Sequence, residues 1–429
     1  MSELKPELQP EQINADVVIV GAGMVGVTLA TALAPSGLEI VVLEQREGDV
    51  SGFSEFVEKQ QAEGYDPRVS ALTCASQQIL TSVGAWQHMQ QFRLSPYTDM
   101  DVWDGEGTGH IHFSASELHE PALGHIVENR VTLAGLYQAL QTHENIQLLT
   151  GVEVKKLSAP EQDGRIVSLA DGRELHAKLV VASDGAMSKT RQMAGIPMWE
   201  WDYGHHAIVT TVKTENAHQK TAWQRFTEDG PLALLPLSSD EGDCYCSIVW
   251  STSPAHAKAL MELDDQAFCA ELTKTFEHRL GDILWNDQRF VFPLRQRHAK
   301  HYIQGGFAAI GDAAHTIHPL AGQGVNLGLL DAAQLAETLS DAVKRGEDIG
   351  SESVLRRFQR IRRNDNIQMS AAMEGFKRLF NETQPFVRLA RNMGMNLLDK
   401  LTPVKNHIVM DAMGLNGKLP ALAQRPIKE

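Results

Sequence analysis

The sequence predicts an α/β protein in which a Rossmann-like domain carries an inserted antiparallel sheet and is followed by a helical C-terminal region. Three observations support this fold class. A strand, a glycine-rich turn, a helix and a second strand follow one another within residues 16–44. Short apolar runs separated by turns fill residues 199–293, which is typical of an antiparallel sheet. After Ala332 nearly the whole chain has a helical pattern.

The composition indicates a globular protein of two or three domains. The chain has 429 residues, of which 43% are hydrophobic and 22% are charged, and this excludes coiled-coil, collagen-like and disordered chains. No apolar run approaches the roughly 20 residues of a membrane-spanning helix. Four cysteines are too few for a disulfide framework, and the N-terminus lacks the pattern of a signal peptide. We therefore expect a cytoplasmic protein.

The charge is unevenly distributed along the chain. The formal net charge of −15 disfavours nucleic acid as a partner. Residues 352–405, however, contain eleven Lys or Arg against five Asp or Glu. Such an asymmetry can mark a docking surface, although solvated arginines on helices are the simpler interpretation.

The first motif is a glycine-rich turn between two predicted strands. Gly21, Gly23 and Gly26 follow an apolar strand and open a helix, where backbone N–H groups can bind a pyrophosphate that any β-carbon would block. Glu44 ends the second strand, and a carboxylate at this position accepts hydrogen bonds from ribose hydroxyls. Because a carboxylate repels a 2′-phosphate, we predict FAD or NAD rather than NADP.

The next segments alternate between loops, helices and strands. Residues 48–66 carry five acidic residues and three glycines, so we predict a surface loop. Helices are predicted at 75–83 and 129–142, and short strands at 146–182. Residues 97–115 alternate around a Gly-Glu-Gly-Thr-Gly sequence, which indicates the tip of a hairpin.

The most specific motif occupies residues 311–328. An apolar strand leads into Asp312, which is suited to bind a sugar-alcohol hydroxyl, and a proline loop then leads into a glycine-rich helix start. Backbone N–H groups at that start would stabilise an anionic ring such as reduced isoalloxazine; they belong to Gly324, Val325 and Asn326. We expect the reacting face of such a ring to lie near Pro319, Gly322 and Gly324.

Three weaker signals complete the set of candidate sites. Asp184 and Gly185 form an Asp-Gly turn after an apolar strand, and such turns are common in any fold. The pairs His298/His301 and His315/His318 have spacing compatible with metal binding but lack a third ligand, so we predict no metal site. His205 and His206 begin a predicted strand, and a surface pair is favoured over a proton acceptor for substrate.

The three motifs, in this order and spacing, resemble those of flavin-dependent aromatic hydroxylases of the p-hydroxybenzoate hydroxylase type. More narrowly, four segments are similar to the ubiquinone-biosynthesis hydroxylases: Asp66-Pro-Arg-Val-Ser-Ala-Leu, Gly124-His-Ile-Val-Glu-Asn-Arg, Trp201-Asp-Tyr-Gly-His-His-Ala and the motif at residues 311–328. The details most resemble the member that hydroxylates a polyprenylphenol at ring C5. Residues 223–236 also resemble members that act at another ring carbon.

The resemblance implies an FAD-dependent monooxygenase. It implies that four further residues join the motifs in FAD binding: Arg68, Arg130, Asp184 and Gly185. It also implies that reduced nicotinamide nucleotide is a transient co-substrate. The resemblance further implies that a flavin C4a-hydroperoxide transfers oxygen from O₂ to a polyprenylphenol. Met187 stands where the family has an amide, which weakens the nucleotide contacts expected at that turn. Two alternatives stay open: a related FAD oxidoreductase (another ring-position hydroxylase, a reductase or a halogenase), or a flavin-stabilised scaffold in a quinone-synthesis complex.

The predicted organisation has five parts. They are a loose N-terminus at 1–14, an FAD-binding domain formed by 15–198 and 294–340, a segment at 92–115 that joins the substrate domain, the substrate domain itself at 199–293, and a helical C-terminal region at 341–429.

The C-terminal region carries apolar residues at helical spacing. They are Met369, Met373, Phe376, Leu379, Phe380, Phe386, Leu389, Met393 and Leu397. The simplest interpretation is a helix packed on the core. The alternative is a basic amphipathic surface that contacts the inner membrane or other quinone-biosynthesis proteins. The oligomeric state stays open, with a homo-oligomer as one possibility.

Overall fold

The structure is a computed structural model that describes residues 12–48, 50–316, 324–382, 384–415 and 418–425. The strands of the described residues are β1 (Gln12–Val20), β2 (Ile40–Leu43), β3 (Val69–Thr73), β4 (Ser95–Tyr97), β5 (Asp99–Asp104), β6 (His110–Ser114), β7 (Gly124–Glu128), β8 (Ile146–Leu149), β9 (Val154–Leu157), β10 (Arg165–Leu169), β11 (Glu174–Ala182), β12 (Met198–Thr214), β13 (Thr221–Thr227), β14 (Gly230–Leu237), β15 (Tyr245–Thr252), β16 (Ile283–Asn286), β17 (Phe290–Ala299), β18 (Ile303–Gln304), β19 (Phe307–Ala309) and β20 (His315–Thr316). The helices are α1 (Met24–Leu33), α2 (Phe53–Glu63), α3 (Cys74–Ser82), α4 (Ala85–Met89), α5 (Asn129–Leu140), α6 (Lys189–Met193), α7 (Pro254–Glu262), α8 (Asp265–Thr275), α9 (Gly324–Lys344), α10 (Glu352–Asn381), α11 (Pro385–Lys400) and α12 (Thr402–Ala412).

The first sheet positions the glycine motifs. Its central strands run parallel in the order β19-β11-β1-β2-β8. Strand β10 pairs antiparallel with β11, and β9 pairs antiparallel with β10. Residues 17–20 and 40–43 are buried, as expected for Val- and Ile-rich strands covered on both faces. The predicted strand–turn–helix–strand unit is confirmed by β1, α1 and β2. The carboxyl ends of β1, β11 and β19 therefore lie side by side.

The second sheet has nine strands and a core of its own. Its order is β20-β17-β12-β15-β14-β13-β5-β6, with β16 paired to β12, and its pairs are antiparallel except β13 with β5. Trp250, Phe268 and Phe276 are fully buried beneath it. The hairpin at 97–115 joins this sheet through β5 and β6. The predicted boundary at residue 293 falls inside β17, because that strand continues pairing with β12 to Ala299.

A third sheet, β3-β7-β4, lies beside the predicted acidic loop. Residues 48–66 are not simply a loop, because they contain the eleven-residue helix α2. Its high charge conceals it in the sequence, since Val57 is its one fully buried side chain. The helix α7 was not predicted either; it begins at Pro254, a residue that favours the first position of a helix.

The C-terminal helices cover both sheets. Helix α9 packs on α1 and α3, α10 packs on α9, and α11 and α12 contact β6. Within the described ranges, no helix has the length and apolarity that crossing a membrane requires.

Candidate active site

The three motifs meet at the carboxyl ends of the parallel strands. A β-carbon on Gly21 would lie 2.6 Å from the carbonyl oxygen of Ser183, and one on Gly26 would lie 2.0 Å from the carbonyl oxygen of Gly21. A β-carbon on Gly328 would lie 2.6 Å from a methyl group of Val25. Close packing therefore joins the first motif to the Asp-Gly turn and to α9, and it permits only glycine at these contacts.

Other glycines of the three motifs adjoin open space where a ligand would lie. Among the described residues, none beyond the chain neighbours has an atom within 4 Å of a β-carbon built on Gly23, Gly185 or Gly324. Gly23 is the N-cap of α1 and no side chain caps this helix, so its first N–H groups are available to a phosphate. A pyrophosphate fits this cradle.

Glu44 is fixed at the end of β2 by two backbone donors. Its carboxylate accepts hydrogen bonds from Ala22 N (3.0 Å) and Arg46 N (2.9 Å). The hydroxyl of Tyr137 on α5 donates to the carbonyl oxygen of Ala22 at 2.9 Å and so stabilises the same turn. Burial raises the pKa of Tyr137 to about 12, with a smaller contribution from Glu44. Nothing in the local sequence marks Tyr137, because its partner lies 115 residues away.

Asp312 has the setting of a ligand-binding carboxylate. Its side chain is accessible to solvent, yet protein surrounds it closely enough that burial raises its pKa, against the smaller effects of His315 and Arg297. Among the described residues it has no hydrogen-bond partner, and a hydroxyl-bearing ligand would supply one. The position therefore fits the predicted sugar-alcohol contact.

The start of α9 is held by the side chain of Asn326. Its amide nitrogen donates to the carbonyl oxygen of Ala71 (2.8 Å), and its oxygen accepts from Thr73 N (3.1 Å) and from the Ser76 hydroxyl (2.6 Å). The buried side chain thus ties α9 to β3 and α3. Any contribution to a ligand comes from backbone N–H groups, as predicted for Gly324, Val325 and Asn326. The predicted Pro319 and Gly322 lie outside the described residues.

Asp184 has a structural function in its turn. Its carboxylate accepts hydrogen bonds from the backbone N–H and the hydroxyl of Thr190 (3.1 and 3.0 Å) and from the Ser188 hydroxyl. These bonds fix the start of α6, while Gly185 takes a left-handed conformation with φ 83°. Met187 is 66% exposed. The predicted contacts of Asp184 and Gly185 with a nucleotide stay predictions.

The two predicted arginines occupy different surroundings. Arg130 Nη2 donates to Glu128 Oε2 (2.5 Å) and to the carbonyl oxygen of Gly64 (3.1 Å), while its buried Nε has no partner among the described groups. That unsatisfied donor fits a ligand oxygen. Arg68 is exposed, and its guanidinium lies 6.0 Å from the ring centroid of Phe292 in β17.

A buried ionic cluster lies behind the Gly-Asp turn. Asp331 accepts hydrogen bonds from Gly311 N (3.0 Å), Arg362 Nε (2.8 Å) and His315 Nε2 (2.5 Å). Burial alone would raise the pKa of Asp331, but the charges and hydrogen bonds of His315 and Arg362 hold it well below its usual range. Through the hydrogen bond from Gly311 N, the cluster fixes the backbone of the turn that carries Asp312. Sequence reasoning missed it, and the available signal was Asp331 as the single charged residue within 324–336.

Two histidines of the predicted pairs make other contacts, and His318 lies outside the described residues. His315 is committed to Asp331, and the buried His298 lies 3.3 Å from the Tyr302 hydroxyl. In the described part of the chain, no three His, Cys, Asp or Glu side chains are arranged to hold a metal ion.

A large apolar cavity adjoins the start of α9. Its volume is about 630 Å³, and its polar lining groups are few, chiefly Thr73, Gln224 and Arg391. Its lining includes Ala71 and Thr73, which hydrogen-bond Asn326, and residues of α10, α11 and α12. Neither His205 nor His206 belongs to the described lining.

Comparison with known proteins agrees with this geometry. A family model described as an FAD binding domain matches residues 14–370. The 3-demethoxyubiquinol 3-hydroxylase of Escherichia coli (strain K12) is 39% identical over 400 residues, covering 93% of this chain and 98% of the relative. The mitochondrial ubiquinone biosynthesis monooxygenase COQ6 of Xenopus tropicalis is 36% identical over 438 residues, covering 92% of each chain.

Solved structures share the fold at low sequence identity. The p-nitrophenol 4-monooxygenase PnpA of Pseudomonas putida DLL-E4 has a TM-score of 0.75 and 21% identity, covering 95% of this chain and 99% of its own. The flavin-dependent monooxygenase PieE, solved with FAD and substrate, has a TM-score of 0.68 and 16% identity over 94% of this chain and 72% of its own. From the family match and the two relatives, the chain belongs to the FAD-dependent hydroxylases of ubiquinone biosynthesis.

Proposed function

We propose that this monooxygenase hydroxylates the aromatic ring of a polyprenylphenol intermediate in ubiquinone biosynthesis. The observation that carries the proposal is the apolar cavity, which runs from the start of α9 to the C-terminal helices. In the balanced reaction, the phenol, O₂, reduced nicotinamide nucleotide and a proton give the hydroxylated ring, water and oxidised nicotinamide nucleotide. Bound FAD supplies the activation of O₂ and the transfer of one oxygen atom.

The residues present fit FAD at one edge of the first sheet. Gly23 and the start of α1 would hold the pyrophosphate, Glu44 the ribose and Asp312 the ribitol. The positive end of α9 would stabilise negative charge on the reduced ring. These are functions of the chain's own groups and need no nucleophilic side chain.

The cavity suits a ring attached to a long hydrocarbon tail. Thr73 and Gln224 are polar groups with which a phenol ring can form hydrogen bonds. The remaining walls are mostly apolar, so they exclude water from the reacting ring and favour a prenyl tail by about 0.8 kcal/mol for each buried CH₂ group. We therefore orient the ring toward Thr73 and the tail toward α10, α11 and α12.

The ring position has two candidates. The sequence most resembles the member acting at ring C5, whereas the E. coli relative is named for a demethoxyubiquinol substrate. Analysis of quinone intermediates in a deletion strain decides between them, because the accumulated compound lacks the hydroxyl that this enzyme adds. Accumulation of a fully hydroxylated intermediate would contradict the proposal.

The alternatives of a scaffold and of a different flavin reaction call for a second experiment. Gly324→Asp places a negative charge in the open space at the start of α9, and we expect complementation of the deletion strain to be lost. Gly375→Asp, in open space on α10 outside the cavity lining, is the matched control. Retained complementation by Gly324→Asp would favour a scaffold.

An isotope experiment on the purified enzyme tests the type of flavin reaction. The ¹⁸O from labelled O₂ must appear in the product, and its absence would favour a reductase or halogenase.

A further inference from the structure

Helix α11 presents an apolar stripe to the outside of the molecule. Phe386, Leu389, Met393 and Leu397 follow one another at helical spacing and are 80, 58, 65 and 58% exposed. The predicted packing of these residues on the core is therefore wrong. A surface helix of a globular protein normally turns such a stripe inward.

The inward side of α11 carries polar side chains that bind the protein, beside Met395 and Leu398, which pack on the apolar cluster of β5, β6 and β13. Asn396 and Asp399 accept hydrogen bonds from the backbone N–H groups of His110 and His112, each at 3.0 Å, and Asn392 accepts one from Gly109. These side chains cap the open edge of β6. Because these three side chains point toward that edge, the apolar stripe on the other side of α11 faces outward.

The stripe continues along α12. Leu401, Val404 and Ile408 are 44, 50 and 41% exposed. Lys405, on the inner side of α12, donates from Nζ to the carbonyl oxygen of His112 at 2.9 Å. Both helices are thus fixed to β6 by polar contacts. We call the seven exposed residues the α11–α12 face; they are Phe386, Leu389, Met393, Leu397, Leu401, Val404 and Ile408.

The substrate cavity opens on this face. Phe386 and Ile408 belong both to the α11–α12 face and to the lining of the cavity, and so does the 40% exposed Leu379 of α10 nearby. A lipid tail can therefore pass from the outer face to the cavity along apolar side chains without crossing water.

The charges beside the face favour an anionic surface. Residues 385–398 contain no Asp or Glu, and the exposed Lys400 has no described ion-pair partner. Arg391 and Lys405 are buried, so they cannot contact a partner. The attraction to an anionic surface is accordingly modest, and apolar contact must dominate.

We propose that the α11–α12 face lies against a lipid bilayer and that the lipid substrate enters the cavity from the bilayer between α10, α11 and α12. The entry route rests on the proposed function, whereas the docking rests on the exposed face alone. Continuity between the face and an apolar cavity favours a bilayer over a protein partner, because a protein seated there would cover the opening.

Flotation of the FAD-loaded full-length protein with substrate-free vesicles tests the docking. We expect binding to phosphatidylethanolamine vesicles that strengthens a few-fold when phosphatidylglycerol is included. The triple variant Leu389→Gln, Met393→Gln, Leu397→Gln should bind at least about tenfold more weakly. None of these three residues lines the cavity, so FAD content and turnover of a short-chain substrate in detergent should not change.

A matched control carries Trp201→Gln, Leu284→Gln and Val291→Gln, which replace exposed apolar residues of the nine-stranded sheet region. It should float like the wild type. Equal flotation by the α11–α12 variant, or no flotation of the wild type, would overturn the docking. A wild-type dimer that the triple variant converts to a monomer, without vesicle binding, would instead identify an interface between two copies. Vesicle binding without turnover would refute the proposed function alone.

Discussion

At the scale of single residues, two glycines of one turn serve different purposes. Gly26 is required by the protein itself, because a β-carbon there would lie 2.0 Å from the Gly21 carbonyl oxygen. Around Gly23 the described residues, apart from its chain neighbours, leave the position for a β-carbon open to 4 Å, so these residues would tolerate a side chain there. The sequence motif does not distinguish these two reasons, although the structure does.

Alanine substitutions separate the two purposes. Gly23→Ala should leave the melting temperature of the apoprotein unchanged and lower bound FAD, measured by flavin absorbance, at least about tenfold. Gly26→Ala should destabilise the apoprotein as well, because of the steric overlap. Gly48→Ala, also in open space, is the control and should retain FAD. Normal flavin content in Gly23→Ala would show that the pyrophosphate lies elsewhere.

His125 makes stability depend on pH. Burial lowers its pKa from 6.5 to about 4, so between these values the unfolded chain binds more protons than the folded one. Above pH 6.5 His125 is neutral in both states and the full unfolding free energy is present. As the pH falls from 6.5 toward 4, protonation of His125 in the unfolded chain lowers the unfolding free energy. His125→Phe should therefore reduce the slope of unfolding free energy against pH by about 1 kcal/mol per pH unit in that window. Urea titrations at several pH values measure it; an unchanged slope would refute the assignment.

At the scale of elements, a buried ion pair joins α11 to the β5–β6 hairpin. Arg391 Nε donates to Asp104 Oδ2 at 2.9 Å, and Nη1 donates to the carbonyl oxygens of Leu379 and Phe380 at 3.1 and 2.9 Å. The Phe380 ring stacks on Phe226 with centroids 3.7 Å apart. These contacts hold the end of α10 and the start of α11 against the sheet, where they form one wall of the cavity.

Removing one partner of this ion pair should lower the unfolding free energy of the protein. Asp104→Ala leaves the Arg391 charge buried without a carboxylate, and we expect a loss of about 3–5 kcal/mol in unfolding free energy. The double variant Asp104→Leu, Arg391→Met removes both charges and should recover most of that loss. Denaturant unfolding of Asp104→Leu, Arg391→Met and the double variant gives the coupling between the two residues. Additive losses would show that the two residues act independently.

Local patterns predicted the elements whose signals are local. The β1–α1–β2 unit and the hairpin at 97–115 follow from apolar runs and glycines in adjacent residues. Helix α2 was missed because its one fully buried side chain, Val57, gives no periodicity. For α11 the sequence showed two faces but not which one lies inward. That choice depends on hydrogen bonds to β6, 283 to 287 residues away along the chain.

At the scale of the whole molecule, one cavity connects the flavin motif to the C-terminal helices. Gly21, Asp184 and Asp312 could be identified from sequence because each follows an apolar strand. The cluster of Asp331, His315 and Arg362 could not, since its members come from separate elements that meet only in the folded chain. The cavity lies between the sheets and the helices, so no single segment indicates it.

Filling the outer part of this cavity should change the preference for substrate length. Gly394 of α11 lines the cavity, and the described residues leave its position for a β-carbon in open space, so Gly394→Leu adds bulk at the cavity wall. We expect kcat/KM for a long-chain substrate to fall about tenfold relative to a short-chain analogue. Gly375→Leu on α10, outside the lining, should change neither value. An equal fall for both chain lengths would place the tail elsewhere.

The capping of β6 by α11 also constrains how the chain is made. At translation rates of roughly 5–20 residues per second, about 15–60 seconds separate the synthesis of β6 from that of the helix that covers it. Throughout that interval the nascent sheet has an open edge able to pair with other strands. A premature stop codon before α11 would make that exposure permanent and should give aggregated protein.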